Sequence, residues 1–429
     1  MFRKTTPVFF GWHVVGAAFV IAVLAWGIGF YGPPIFLETL QRSRGWSPSL
    51  ISAAITMQYL FGAAFIAGLA KLHRRFGIPA VTSAGGVLTA LGLLGWAFAR
   101  DPWQLFAITL LSGAGWAMTS GAAINAMVAP WFDRRRPAAL SMAFNGASVG
   151  GVIFSPLWVA LIAALSFRWA AVIVAGAVSL ILWLLANRYL APTPASLGLL
   201  PDGDSAASHG AAVRKGCNDA ALLENPWRDR RFATLAIAAS LALFAQVGLV
   251  AELFSLLVPA MGEAGASATM VIVTVSAVAG RTLLGIAMGP TADRRVVAAA
   301  NVSLQVCGSL ALLLAGGSSV PLLLFGCLLF GLGLGNVVSV PPLIAQTEFT
   351  PADTQRVVAL TVVVSQATFA FAPAAFGLLR DAGQVLGLAS HPGSAPLLFA
   401  AAASVQVASA VVVLLGRRAV RLPVASAVM

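Results

Sequence analysis

Residues 270–288 read MVIVTVSAVAGRTLLGIAM, an apolar run in which Arg281 is the one charged side chain. At about 1.5 Å of rise per residue, a run of this length crosses a hydrocarbon layer about 30 Å thick as a single helix. Extended from Ser267 to Gly289, that helix carries Arg281 roughly 20 Å along its length, close to mid-layer. A guanidinium at that depth costs from about 3 to well above 10 kcal/mol unless it meets a partner, a ligand or a wet cavity. The length of the run decides the fold, and the cost of its arginine calls for a function.

The remaining chain has the same character. Its 429 residues are 59% hydrophobic and 9% charged, which excludes a soluble enzyme. The apolar runs are about 20 residues long and lack the alternation of barrel strands, so helices must satisfy the backbone inside a lipid bilayer. Spans are predicted at 9–30, 50–70, 78–98, 104–128, 138–163, 169–187, 232–258, 267–288, 296–315, 321–344, 357–379 and 396–416. Arg3 and Lys4 before the first run resemble a signal peptide, but that run is long enough to be a retained first span. The net charge of +12 is scattered through short loops with no aromatic-interleaved basic face, so no nucleic-acid partner is expected. Cys217, Cys307 and Cys327 lack the paired spacing of a metal or redox site, and neither metal nor cofactor is expected.

Twelve spans put both chain ends on one side. Loops on that side hold 20 of the 26 Lys and Arg, against Arg42, Arg44, Arg100, Arg168 and Arg380 opposite, with Arg281 left over. The positive-inside rule then places both termini in the cytoplasm. The longest connection divides the chain into a six-helix bundle over 1–187, a cytoplasmic loop of little fixed structure over 188–231 and a second bundle over 232–429. A shift of 220 residues superposes Gly45 on Gly265, Arg74 on Arg294, Gly113 on Gly333, Asp133 on Asp353 and Arg136 on Arg356. An even number of spans per repeat makes the two repeats parallel.

Several stretches are more specific. Phe10-Gly11-Trp12-His13-Val14-Val15 enters the first span, Trp131-Phe132-Asp133-Arg134-Arg135-Arg136-Pro137-Ala138 leads into the fifth, and Gly146 to Gly151 continues it. Leu197 to Asp204 opens the central loop, and Gly289-Pro290-Thr291-Ala292-Asp293-Arg294-Arg295 follows the eighth span. With these residues the chain resembles the major facilitator superfamily, and within it the bacterial members related to monocarboxylate porters. The resemblance implies an all-α polytopic membrane protein of twelve transmembrane helices. It also implies that Arg281, in Gly280-Arg281-Thr282-Leu283-Leu284-Gly285, receives a substrate carboxylate. The loop signature of the family is degenerate after the second span, where Lys71-Leu72-His73-Arg74-Arg75 lacks its aspartate. Animal relatives carry an aspartate one turn before the arginine, where this chain has Ala277, so their proton route does not transfer.

The residues themselves support a carboxylate site. A planar guanidinium holds a carboxylate through two parallel charge-assisted bonds and stays protonated where a lysine need not. The alternative is that Arg281 only pairs with Glu252 or with helix-end carbonyls. Glu252 is the one acid placed within a span, nearer the outside than Arg281, and reads either as a proton carrier or gating partner or as a residue snorkelling outward. Gln246, Asn336 and Gln366 are candidate substrate-binding groups at mid-span, each equally readable as an interhelical hydrogen bond. Ser339 and Ser365 share that depth, and Asn125 and Asn145 lie nearer the cytoplasmic ends. Trp26, Phe30, Tyr31, Phe369 and Phe371 are readable as a cavity lining or as interfacial anchors. His13 is read as a packing histidine. Asp133, Arg136, Asp293 and Arg294 read as cytoplasmic loop charges.

The sequence therefore predicts a monomeric secondary transporter of a bacterial inner membrane, moving a small organic monocarboxylate together with a proton. It contains no phosphate-cradling loop for ATP and no cluster of nucleophile, acid and base for an enzyme. The alternatives are an efflux carrier for hydrophobic compounds in which Arg281 is structural, or a membrane sensor without flux.

Overall fold

In a computed structural model, residues 9–133, 135–203, 225–288 and 292–417 are described. Arg3, Lys4, Cys217, most of the central loop and Gly289 to Thr291 lie outside them. The described residues form helices joined by turns, with no strand among them. Among the described residues nine helices are long and apolar enough to cross a membrane: Phe10–Arg44, Pro48–Phe98, Pro102–Val128, Ala138–Leu190, Arg230–Leu284, Arg294–Leu314, Val320–Glu348, Arg356–Val385 and Pro396–Leu415. Three of these exceed 50 residues. At about 1.5 Å per residue each is over twice the thickness of a bilayer core, so each must cross twice. Each is broken at one residue of positive φ, namely Gly77 at 81°, Ser166 at 76° and Gly262 at 71°. Read at those breaks, the nine helices give twelve crossings.

The first crossing runs further than the sequence predicts, to Arg44, with an interruption at Phe30 and Tyr31. Arg42 and Arg44 are thus helical residues in its last turn, where cations favour the helix dipole. Arg380 likewise belongs to a helix, Ala372–Val385, and not to a loop. The start of the central connection is a series of short helical turns at Ala186–Leu190, Ala195–Leu197 and Pro201–Gly203.

Side chains at the helix starts explain several boundaries. Ser47 accepts from Leu50 N, Asp101 and Gln104 form a capping box, and Asp229, Asp293 and Thr350 cap the helices that follow them. Close helix packing relies on missing side chains in the fifth crossing. A Cβ on Gly146 would lie 2.2 Å from Phe19 O and one on Gly150 2.6 Å from Val23 O, so the fifth crossing lies directly on the backbone of the first. The largest apolar core runs from the first six crossings into residues 245–273 and on to Leu312, Phe330, Phe376 and Phe399, and a second, around Phe232, Ile344 and Val413, fills the chain-end side of the last six.

Candidate functional site

The eighth crossing meets the tenth through three glycines. A Cβ on Gly280 would come within 1.9 Å of Leu332 O, one on Gly331 within 2.7 Å of Val273 O, and one on Gly335 within 2.4 Å of Ala277 O. That approach brings Arg281 beside Gly335, where helix Val320–Leu334 ends and Asn336–Glu348 begins. Carbonyls at such an end lack intrahelical partners. Arg281 Nε donates to Gly335 O at 3.2 Å, and Ser339 Oγ donates to the same oxygen.

The other contact of the guanidinium crosses to the first six crossings. Arg281 Nη1 donates to Asn145 Oδ1 at 3.4 Å, and Asn145 is exposed. Both acceptors are neutral, and among the described residues no carboxylate lies within ion-pairing distance of Arg281. The half-buried guanidinium is thus held by a helix-end carbonyl and an exposed amide, with no acid beside it among the described residues. Tyr31 is buried nearby, packed with Thr274 against the space that Gly151 leaves open, and its hydroxyl lies within electrostatic range of Arg281. An aromatic wall continues from there. Trp26 contacts Phe144 and Trp116, Trp116 contacts Tyr59, and Tyr59 reaches Phe369 with ring centroids 5.9 Å apart. Phe371 lies outside this wall, exposed.

Glu252 does not reach Arg281. It is 0% exposed and accepts from Arg380 Nη1 at 2.8 Å, with Arg380 itself 6% exposed. Ser52, from the second crossing, donates to the other Glu252 oxygen, and Ser255 also accepts from Arg380. Around this buried pair further contacts join the two halves of the chain on the side opposite the chain ends. Ser49 N donates to Asp381 at 3.4 Å, Ala374 N donates to Thr56 Oγ1 at 2.9 Å, and Arg42 bridges Glu38 and Glu263. Arg380, which the sequence places among loop charges, is the missing partner of Glu252, the one acid the sequence places within a span. Its signal was that a lone buried carboxylate requires a base.

The remaining candidates scatter. Asn336 is buried and donates to Asn301 Oδ1 at 2.9 Å, beside an apolar cavity among the seventh, ninth, tenth and twelfth crossings. Gln246 is buried with its Oε1 unpaired, and Gln366 is half-buried; neither is hydrogen-bonded to Arg281. Ser365 pairs with Ser240, and His13 is exposed beside the Phe10 ring.

The loop charges are more than topology signals. The buried Asp202 accepts from the backbone N–H groups of Asp133 and Arg135 and donates its own N–H to Trp131 O, fastening the central connection to the loop before the fifth crossing. Arg136 donates to Asn125 Oδ1 at 3.0 Å. Asp293 caps its helix through Arg295 N and Val296 N and pairs with Arg417 at 2.7 Å, while Arg294 donates to Leu343 O. Partial burial pushes the Asp293 carboxyl up. The Val296 and Arg295 N–H groups and Arg417 outweigh it, leaving Asp293 below the usual carboxylate range. Arg295, 1% exposed, grips Glu348 with two bonds and fills its other donors with Thr234 Oγ1, Val413 O and Arg231 O.

The Major Facilitator Superfamily profile matches residues 15–373. Monocarboxylate transporter 11 of Mus musculus is 33% identical over 175 residues, covering 40% of this chain and 38% of that protein. Monocarboxylate transporter 13 of Bos taurus is 32% identical over 168 residues, 38% of each. The match thus spans under two fifths of these relatives' own length. Among solved structures, a D-xylose–proton symporter superposes with a TM-score of 0.70 at 14% identity, covering 94% of this chain and 97% of that one. A nucleoside transporter does so at 0.68 and 12% identity, covering 94% and 100%. At such identities the likeness is one of fold. With its helices, its breaks and a profile covering most of its length in agreement, the chain belongs to the major facilitator superfamily of transporters and is homologous to monocarboxylate transporters.

Proposed function

We propose that the protein is a secondary carrier that moves a small organic monocarboxylate across a bacterial inner membrane by alternating access, together with a proton. In this reading both termini are cytoplasmic, and units 1–187 and 232–429 of a monomer rock about a site centred on Arg281. The observation that carries it is the Arg281 guanidinium, set in an apolar crossing with only neutral acceptors among the described residues. A carboxylate would supply the missing charge and two short bonds.

The contacts that join the two halves on the far side support a cytoplasm-facing state, in which Asn145 and Arg281 meet water from within. Bringing a lone anion into a cell with an inside-negative potential costs about 2.3 kcal/mol per 100 mV, and a co-transported proton removes that cost. Glu252 is the acid proposed for coupling. Here Ser52 and Arg380 seal it from water, and it meets the outer solution once the first unit moves Ser52 away. Gln246, Asn336 and Gln366 then act on substrate only where rocking turns them inward.

Uptake of labelled carboxylates into proteoliposomes tests the reading: Arg281→Ala abolishes it, and equal uptake by the variant overturns it. Flux that drives a current in proportion to substrate overturns the proton partner alone. The aromatic wall from Trp26 to Phe369 is what a carrier of hydrophobic compounds would use, and indifference of transport to competing short carboxylates would favour that second reading.

A further inference from the structure

Arg281 comes from the eighth crossing, yet one of its two hydrogen-bond partners is on the fifth, in the other half of the chain. At 3.4 Å the bond to Asn145 Oδ1 is long for a charged donor, whose strong bonds measure about 2.7–2.9 Å. Asn145 thus holds the guanidinium loosely, and a carboxylate making short charged bonds would displace it. The amide is nevertheless well placed. Gly146, the next residue, seats the helix on Phe19 O, and Phe144, the one before, packs on Trp26 at 6.1 Å. The backbone that carries Asn145 is therefore held on both sides while its side chain is exposed.

The internal repeat sets this position apart. A shift of 220 residues takes Asn145 to Ser365, which is buried against Ser240, and takes Phe61 to Arg281. Both members of the Arg281–Asn145 contact thus differ from their repeat equivalents. An amide also carries an acceptor and two donors on one terminal group. Its oxygen suits the empty guanidinium, and its N–H groups suit a carboxylate that has taken the guanidinium over.

We propose that Asn145 is the first half's contact to the bound anion: it occupies Arg281 through Oδ1 when the carrier is empty and donates Nδ2 to the carboxylate when loaded. This rests on the carboxylate reading above and adds that the site is completed across both halves. A carboxylate bound between Arg281 and Asn145 ties together the two units that must move. A neutral amide at this position is required, because an acid there would occupy Arg281 permanently.

The test compares wild type with Asn145→Leu, Asn145→Gln, Asn145→Asp and Arg281→Ala in proteoliposomes, with acetate, propionate, butyrate and benzoate as labelled probes. Asn145→Leu is expected to raise KM about tenfold with Vmax within about twofold, the loss of one bond to a charged group. Asn145→Gln, which keeps the amide, falls between it and wild type. Asn145→Asp lowers uptake by about 100-fold or more, since its charge competes for the guanidinium. A second readout needs no transport: modification of Arg281 by phenylglyoxal, followed by mass spectrometry. It should be faster than wild type in Asn145→Leu, slower in Asn145→Asp, and slowed in wild type by any carboxylate that binds. Wild-type KM and labelling rate in Asn145→Leu, with Arg281→Ala inactive, overturn the role of Asn145 and leave the carboxylate site standing. Arg281→Ala with wild-type uptake, or labelling that no carboxylate slows, overturns both.

Discussion

Arg295 and Arg281 lie fourteen positions apart in one sequence of helices and have opposite surroundings. Arg295 is buried with its donors filled, two on Glu348 and the others on Thr234, Val413 and Arg231. Arg281 has a carbonyl and a distant amide. A satisfied guanidinium is a staple: it joins the seventh, ninth, tenth and twelfth crossings at the chain-end side and has no donor left for a ligand. An unsatisfied one contributes less to the fold and keeps donors free for a ligand. In the first half, the residues matching Arg294 and Arg295 are Arg74 and Arg75, both exposed, with Arg75 resting on Phe76. The staple therefore belongs to one half, and the half that has it also carries Arg281.

The comparison breaks most visibly on deletion of the staple. Arg295→Ala leaves Glu348 without its cation and is expected to cost about 3 kcal/mol, toward the low end for a buried pair because the Glu348 side chain is 21% exposed. Thermal unfolding in nanodiscs should show a large loss of Tm, with uptake per folded molecule little changed. Arg281→Leu should do the reverse: uptake falls by about 100-fold or more, while Tm holds or rises, because an uncompensated charge leaves the membrane interior. If both variants lose stability equally, Arg281 is a staple too and the carboxylate site loses its basis. Gly416→Ala attacks the same clamp from its other side. A Cβ there would lie 1.8 Å from Arg295 Nη1 and 2.2 Å from Thr234 Oγ1, and the expected loss is about 1–3 kcal/mol. Unchanged stability would show that the clamp has room to yield.

The distinction between the two arginines was half legible in the sequence. Arg281 stands out because periodic apolar residues surround it, and lipid imposes a cost on charge that composition alone reveals. The crossings were legible for the same reason, since their length is set by the bilayer. Arg295 was not, because Asp293-Arg294-Arg295 reads the same whether the arginine is solvated or folded under four helices. Its partners Thr234, Glu348 and Val413 are far away in sequence and two of them offer only a hydroxyl or a carbonyl. Glu252 was visible as an anomaly, but Arg380, 128 residues later, was hidden by standing at the end of an apolar run like any loop cation. Ser52 was least legible, and Asn145 was visible only as one polar residue among several, since a small polar residue in a span says little until the opposing helix is known.

The smallest effect expected is at the edge of the staple, where Asp293 caps the ninth crossing beside Arg295 and pairs with Arg417. Asp293→Ala should cost about 1 kcal/mol as a lost cap. Asp293→Asn keeps the cap and removes the charge, so it isolates the ionised form. Because the folded carboxyl lies below its ordinary value of 3.8, the charge contributes stability above that value. That contribution is lost as pH falls through the depressed folded value, where both states bind a proton. The difference in Tm between wild type and Asp293→Asn should accordingly be constant from neutral pH down to about pH 5 and vanish in stronger acid. A difference that widened on acidification would mean that Asp293 is protonated in the folded carrier, and that the ninth crossing is held at this end by Arg295 alone.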